Sequence, residues 1–304
     1  MRVVVALGGN ALVRGEPRAA EVPRAGARVA ARALAAVAHR HQLVLSHGGG
    51  PQLGVLALQA AACEDVEVPP LDVLDAHSER VTGYVLEHEL RNLLPPDVPV
   101  ATVLTSVEVD PLDPAFAQPS RFVGPLYDAA HSRALAEQHR WVFKPDGRFL
   151  RRVVPSPEPT RILEIEPVNW LLDRGTVVIC AGGAGIPAAR RSSSGCTLER
   201  VDAVIDADLV SELIARGVDA DLLVLATDVD AVYADWGLRT QRRLRRVTPT
   251  TLRSMELRPG SMGPKVEAAA RFVESTGRRA AIGSVGDIAA MVAGTGGTVV
   301  VSPG

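Results

Sequence analysis

The sequence predicts an α/β fold on a mostly parallel sheet, and three observations carry that prediction. Short apolar runs recur at residues 3–7, 43–46, 100–105, 176–180, 222–226, 279–283 and 298–301. Their continuous apolar character is that of strands covered on both faces. Alanine-rich stretches of helical length lie between many of them, most clearly at 24–41, 52–63, 203–216 and 265–276, which is the alternation of strand and crossover helix. Glycine-rich turns follow several of the runs directly, where a chain leaving a parallel strand must bend sharply into the next element.

Taken in order, Val3-Val4-Val5-Ala6-Leu7 reads as a first strand that stops at Gly8-Gly9. It is too short for a signal-peptide core or a membrane span, so a cytoplasmic location is expected. The run 43–46 leads into His47-Gly48-Gly49-Gly50-Pro51-Gln52, with Pro51 placed to open a helix. From about 111 to 160 prolines and short alternating runs replace the helical pattern, which suggests a small protruding subdomain. The strand at 176–180 ends in Ala181-Gly182-Gly183-Ala184-Gly185. The polar stretch Arg190-Arg191-Ser192-Ser193-Ser194-Gly195 marks a soft boundary between lobes 1–190 and 191–304. The run 222–226 ends in Thr227-Asp228-Val229-Asp230-Ala231-Val232-Tyr233, short polar residues that suit either a ligand crevice or a capped turn. Finally Pro259-Gly260-Ser261-Met262-Gly263-Pro264-Lys265 precedes the helix expected at 265–276.

Composition narrows the chemistry. The 304 residues are 47% apolar and 22% charged, enough for a large core in one α/β unit or two lobes. A formal charge of −2 supplies no basic field, so nucleic acid and membrane surfaces are not expected as partners and small molecules are. The three cysteines, Cys63, Cys180 and Cys196, show no paired spacing and read as free thiols. The seven histidines have no metal-ligand spacing, so no protein-held metal is expected, and no serine sits in a G-x-S-x-G elbow. Only two of the 33 basic residues are lysines, Lys144 and Lys265, and both stand beside proline in loop-like sequence. A lysine kept among 31 arginines is either chance or a place that needs a compact ammonium. The turns at 48–52 and 259–265 each put glycines ahead of a helix start, so backbone N–H groups and the helix dipole can meet an anion. The Walker pattern is absent. Gly183 to Ala188 formally fits the dinucleotide fingerprint GxGxxA, but Pro187 sits in the first turn of the helix that pattern requires. An NAD-dependent oxidoreductase using that turn is the alternative from another class.

Six stretches carry a family resemblance: Ala6-Leu7-Gly8-Gly9-Asn10-Ala11, Ser46-His47-Gly48-Gly49-Gly50-Pro51-Gln52, Ala101-Thr102-Val103-Leu104-Thr105, Val153-Val154-Pro155-Ser156-Pro157, Ala203-Val204-Ile205-Asp206 and Gly260-Ser261-Met262-Gly263-Pro264-Lys265-Val266-Glu267-Ala268. In this order and spacing the chain resembles carbamate kinase, of the amino-acid-kinase superfamily, over essentially its whole length. The resemblance implies a three-layer αβα sandwich and a homodimer. It implies an N-terminal acceptor lobe with a protruding subdomain and a C-terminal lobe for ATP or ADP with Mg²⁺. It implies reversible phosphoryl transfer between ATP and carbamate, giving carbamoyl phosphate. Lys265 and Lys144 would then hold phosphate oxygens, with Asp208 orienting the lysines. Gly8, Gly9, Asn10, Gly48, Gly49 and Gly50 would bind the carbamate side, and Arg80, which departs from the family pattern, is a further candidate there. Thr227, Asp228, Val229, Tyr233, Met262, Gly263 and Pro264 would lie along the nucleotide.

The departures from the family pattern concern charge. The family's usual Asp-Lys-Asp is Asp206-Ala207-Asp208 here, and the alternative lysine position of the wider superfamily is Asn10. The usual Gln-Gly pair ahead of Gly83-Tyr84 is Glu79-Arg80, and the family's Gly-Asn-Gly is Gly48-Gly49-Gly50. Either Arg80, Arg14 or Arg190 restores the missing cation, or the acceptor is a different small carboxylate or carbamoyl compound. A nucleotide-binding regulator with weak catalysis is the third alternative.

Overall fold

The computed structural model describes residues 1–12, 24–61, 68–190, 197–255 and 262–303, with backbone alone at Asn10, Ala11, Pro51 and Ala61. An eight-stranded sheet runs in the spatial order Arg246–Val247, Thr298–Val300, Arg279–Ser284, Leu222–Thr227, Arg2–Leu7, Gln42–Gly48, Val177–Gly183, Val100–Val103. The last six are mutually parallel. Thr298–Val300 turns back antiparallel to Arg279–Ser284 and pairs parallel with Arg246–Val247 at the edge. This is the mostly parallel α/β fold expected from the sequence.

Side chains on one strand explain the layers. Val3, Val5 and Leu7 face the helices Arg24–Ala38, Leu71–Arg91 and Ile288–Ala293, whereas Val4 and Ala6 face Ile165–Leu172, Ala207–Gly217 and Met262–Thr276. Because successive strand residues point to opposite faces, a strand covered on both sides must be apolar throughout. Val3, Val4 and Val5 are fully buried, and each such side chain contributes about 1.5–3 kcal/mol of burial free energy. The result is a three-layer αβα sandwich.

All seven expected strands and four expected helices are present with shifted ends. The strand at 43–46 is Gln42–Gly48, that at 176–180 is Val177–Gly183, and the helix at 203–216 begins only at Ala207. The longest helix, Leu71–Arg91 with 21 residues, has no counterpart among the expected ones. Its buried face carries Asp75, Ser78, Glu79, Thr82 and Glu89 among the leucines, which interrupts the apolar period, and Pro70 offers no side-chain cap.

Within the segment 111–160, Arg121–Tyr127, Phe149–Val154 and Val142–Asp146 form a separate antiparallel sheet of three strands. The helix Ala129–His139 joins them, capped by Asp128, whose Oδ1 accepts from the N–H groups of Ala130 and His131. The polar stretch at 190–195 lies beyond Arg190 outside the described residues. After Gly183 the chain turns into a strand, Ile186–Arg190, and not a helix. No helix N-terminus therefore meets the GxGxxA turn, which removes the dinucleotide reading.

Candidate functional site

Four neighbouring strands of the sheet end together at Leu7, Gly48, Gly183 and Thr227, and a cavity of about 300 Å³ opens over those ends. Ligands of open parallel sheets sit outside the carboxyl ends of the strands, and the reason is visible here. Gly50–Ala61, Ala207–Gly217 and Met262–Thr276 begin at its rim, with Gly50, Ala207 and Pro264 all lining the cavity. Each helix N-terminus carries about half a positive charge, so three converge on one small space. The glycines are required by close approach. A Cβ on Gly48 would stand 2.9 Å from Gly9 N, and one on Gly49 would stand 2.6 Å from both Gly183 Cα and Ser78 Oγ. A larger cleft of about 650 Å³ at the opposite end of the strands, around Arg2, Gln42 and Val177, has neither converging helix starts nor a lysine.

Lys265 is buried and places its ammonium over the first glycine turn, since a Cβ on Gly8 would lie 3.7 Å from Nζ. Nζ donates to both oxygens of Asp208, at 3.0 and 2.9 Å. Burial pushes the Asp208 carboxyl above its ordinary value and the Lys265 ammonium opposes that shift. The contact of Nζ with both carboxylate oxygens is that of an ion pair, and a neutral Asp208 would leave a buried ammonium uncompensated. Asp206 caps the helix Ala207–Gly217: its Oδ1 accepts from Asp208 N at 3.0 Å and Leu209 N at 3.4 Å. Its Oδ2 accepts from Arg121 Nη1 at 3.0 Å, and Arg121 lines the cavity. Between these two ion pairs sits Ala207, whose Cβ would be 3.9 Å from a Cβ on Gly48.

The structure brings Gly8, Gly9, Gly48, Gly49, Gly50, Asp208, Thr227, Pro264 and Lys265 together around the cavity. Asn10 lies in the short helix Gly9–Leu12, its side chain outside the described residues. Met262 and Gly263 open the helix that carries Lys265. Asp228 accepts from Thr227 Oγ1 at 3.0 Å, and the Tyr233 hydroxyl donates to Asp230 at 2.9 Å. Asp228, Val229 and Tyr233 follow the Leu222–Thr227 strand but do not line the cavity.

Three expected positions lie outside the cavity lining. Lys144 is exposed in the Val142–Asp146 strand of the three-stranded sheet and does not line the cavity, because the subdomain turns its first strand, not this one, toward the site. Arg80 is exposed on the helix Leu71–Arg91, while Glu79 beside it is buried, so the two point away from each other. Arg190 pairs with Glu108 at 3.2 Å and does not line the cavity; Arg14 lies outside the described residues. The basic residue of the three-stranded sheet that lines the cavity is Arg121, the first residue of Arg121–Tyr127. In a chain with 31 arginines nothing in the sequence singles it out.

Behind the glycine turns lies a cluster of buried titratable groups. Burial drops His47 to about 4, so its ring is neutral, and Nε2 has no hydrogen-bond partner among the described residues. Burial raises Glu79 to about 8. Asp75 is pushed well above its usual value, first by burial and then by the charge of Glu79, and its Oδ1 has no hydrogen-bond partner among the described residues. Burial also pushes the free Cys180 thiol up, which makes it unreactive.

A parallel sheet covered on both faces, glycine turns at its carboxyl edge and a buried lysine at a helix start define a phosphoryl-transfer enzyme of the amino acid kinase family, whose family model matches residues 1–284. The carbamate kinase of Rhizobium meliloti is 54% identical over 303 residues, covering 99% of this chain and 94% of the relative. That of Haemophilus influenzae is 48% identical over 299 residues, covering 98% and 96%. The carbamate kinase of Giardia lamblia solved with bound AMP-PNP superposes with a TM-score of 0.91 at 32% identity, covering 99% of this chain and 98% of that one. Within the amino acid kinases, this chain belongs to the carbamate kinase family.

Proposed function

We propose that the protein catalyses reversible transfer of a phosphoryl group between ATP and carbamate, giving ADP and carbamoyl phosphate. The observation that carries this reading is the buried Lys265–Asp208 pair set between the glycine turn at 8–9 and the start of Met262–Thr276. In the forward direction a carbamate oxygen attacks the γ-phosphorus and the bond to the β-phosphate oxygen breaks, leaving ADP. Such a transfer needs little covalent help and is accelerated by fixed positive charge around the moving group. Lys265, Arg121 and the three helix starts supply that charge. Asp208 and Asp206 hold the two side chains in place until phosphate oxygens compete for them.

The residues divide by strand. The turns at 8–9 and 48–50 and Gly183 form the wall assigned to the acceptor, in a lobe spanning 1–190. Thr227, Pro264 and Lys265 form the wall assigned to the nucleotide, in a lobe spanning 191–304. Mg²⁺ enters as part of the nucleotide substrate. Asp206 and Asp208 are committed to Arg121 and Lys265, and among the described residues no group of three or more His, Cys, Asp or Glu is placed to hold a metal. The family resemblance supports a cytoplasmic homodimer as the acting form.

The test is ATP formation from Mg-ADP and carbamoyl phosphate, run beside acetyl phosphate. Carbamoyl phosphate is expected to support turnover at least about tenfold better in kcat/KM, the discrimination that unpaired polar groups in a built site produce. ADP binding with no ATP formed from carbamoyl phosphate defeats the assignment. A preference for acetyl phosphate points to an acceptor other than carbamate, a different small carboxylate or carbamoyl compound.

A further inference from the structure

The wall at residues 181–185 is strained. Ala181 has φ 48°, Gly183 74°, Ala184 98° and Gly185 76°, and an alanine held at positive φ persists only where its surroundings over-determine it. Gly183 lines the cavity and packs directly on the second glycine turn, where a Cβ on Gly49 would meet its Cα at 2.6 Å. The strain is therefore at the surface a bound acceptor meets.

Two buried side chains hold this segment. Glu79 Oε1 accepts from Gly182 N at 3.0 Å, and its Oε2 accepts from Thr105 N at 3.3 Å. Thr105 in turn grips both ends of the strained stretch: its Oγ1 accepts from Ala181 N at 2.9 Å, and its carbonyl accepts from Ile186 N at 2.9 Å. Glu79 and Thr105 are 1% and 0% exposed, so water cannot replace these bonds. The Glu79 side chain and the His47 ring both crowd Gly182, leaving no room for another anchor. A Cβ there would lie 2.7 Å from Glu79 Cγ and 2.4 Å from His47 Nε2.

We propose that Glu79 is the positioning residue of the acceptor wall: by bridging Gly182 and Thr105 it holds the strained 181–185 segment against Gly49 and so fixes the shape that a carbamoyl-type acceptor binds. The proposal rests on the acceptor assignment made above. Glu79 does not line the cavity and touches no substrate; it acts through the backbone of Gly182 and Gly183. Glutamine at this position keeps one acceptor oxygen but turns an amide donor toward a second backbone donor, so it holds one of the two bonds. Alanine holds neither.

The experiment is steady-state ATP formation by the full chain and by Glu79→Gln and Glu79→Ala, with circular dichroism to confirm folding. Glu79→Ala is expected to raise KM for carbamoyl phosphate at least about tenfold while KM for ADP moves less than about twofold, since misplacing a binding wall by an ångström has effects of this size. Glu79→Gln is expected between it and the parent. Should Glu79→Ala not fold, the near-isosteric Thr105→Val removes the anchor on Ala181 and is expected to show the same one-sided rise. Equal changes in both KM values, or none in either, overturn the proposal. If the parent makes no ATP, the acceptor reaction has failed and the clamp has not. Calorimetric titration of carbamoyl phosphate into parent and Glu79→Ala protein then decides the clamp, with equal affinities counting against it.

Discussion

The two walls of the cavity hold their buried polar groups in opposite ways. On the wall assigned to the nucleotide, Lys265 is met by Asp208, and Arg121, reaching across from the Arg121–Tyr127 strand, is met by Asp206. These charges are balanced in pairs and fixed to helix starts. Behind the wall assigned to the acceptor, Asp75 Oδ1 and His47 Nε2 have no hydrogen-bond partner among the described residues, Glu79 is raised to about 8, and two alanines lie at positive φ. Paired charges suit a site that must always present a phosphate with the same field. Strain and neutralised groups suit a wall whose shape selects the other substrate. On the proposed assignment, fixed positive charge belongs to one side and substrate selection to the other.

The largest effect expected from this division separates the chain's two lysines. Lys265→Met should lower kcat for ATP formation by about 10³-fold, the upper range for removing one fixed charge from a transition state. Lys144→Ala should leave kcat and both KM values within about twofold, because Lys144 is exposed and away from the cavity. Removing one partner of a buried pair also costs about 3–5 kcal/mol of stability, so kcat must be read below the unfolding transition. Equal losses in the two variants would dissolve the distinction between the walls and restore the subdomain lysine to the site.

How much was legible in advance follows from the same residues. The sheet was readable because strands covered on both faces must be apolar throughout. The glycine turns were readable because close backbone approach leaves no room for a Cβ. Lys265, which lines the cavity, stands out in the sequence because a lysine is rare in this chain and lies at a helix start. The same rarity singles out Lys144, which is exposed on its strand, since composition reports which residues are unusual and not where a strand carries them. Arg121 was hidden by its abundance and by depending on how the three-stranded sheet folds back onto Asp206. The helix Leu71–Arg91 was hidden because Asp75, Glu79 and Glu89 break its apolar period. Those same buried acids are what make the acceptor wall unusual.

A smaller effect sharpens the electrostatic half. Arg121→Ala should lower kcat by about 10²-fold, less than Lys265→Met, because its guanidinium is partly exposed and is screened by water. Adding Ala207→Lys to that variant should recover part of the loss, as an ammonium at 207 would stand beside the Gly48 turn that Ala207 now faces. Steady-state kcat of the three proteins at saturating Mg-ADP and carbamoyl phosphate measures both steps. An Arg121→Ala enzyme with undiminished kcat would mean that Lys265 and the helix starts supply all the positive charge the transfer needs.

The smallest effect concerns the acceptor wall and appears in stability. Glu79 is raised from its ordinary 4.5 to about 8, so between those values the folded protein holds a proton that the unfolded chain has released. Stability from this group therefore falls as pH rises, by at most about 1.4 kcal/mol per pH unit, and levels off above about 8. His47 has the opposite sign. Its value falls from 6.5 to about 4, so the unfolded chain binds the extra proton there and stability rises with pH up to about 6.5. The two slopes offset each other below 6.5. Above it the downward slope of Glu79 remains, with Asp75 adding to it in the same sense. Urea midpoints of the parent should therefore drop between pH 6.5 and 8. Glu79→Gln, with nothing to ionise at that position, should drop less steeply by about 1.4 kcal/mol per pH unit. Parallel slopes would show that Glu79 gains no proton on folding in this range, and the clamp on Gly182 and Thr105 would then be a carboxylate throughout.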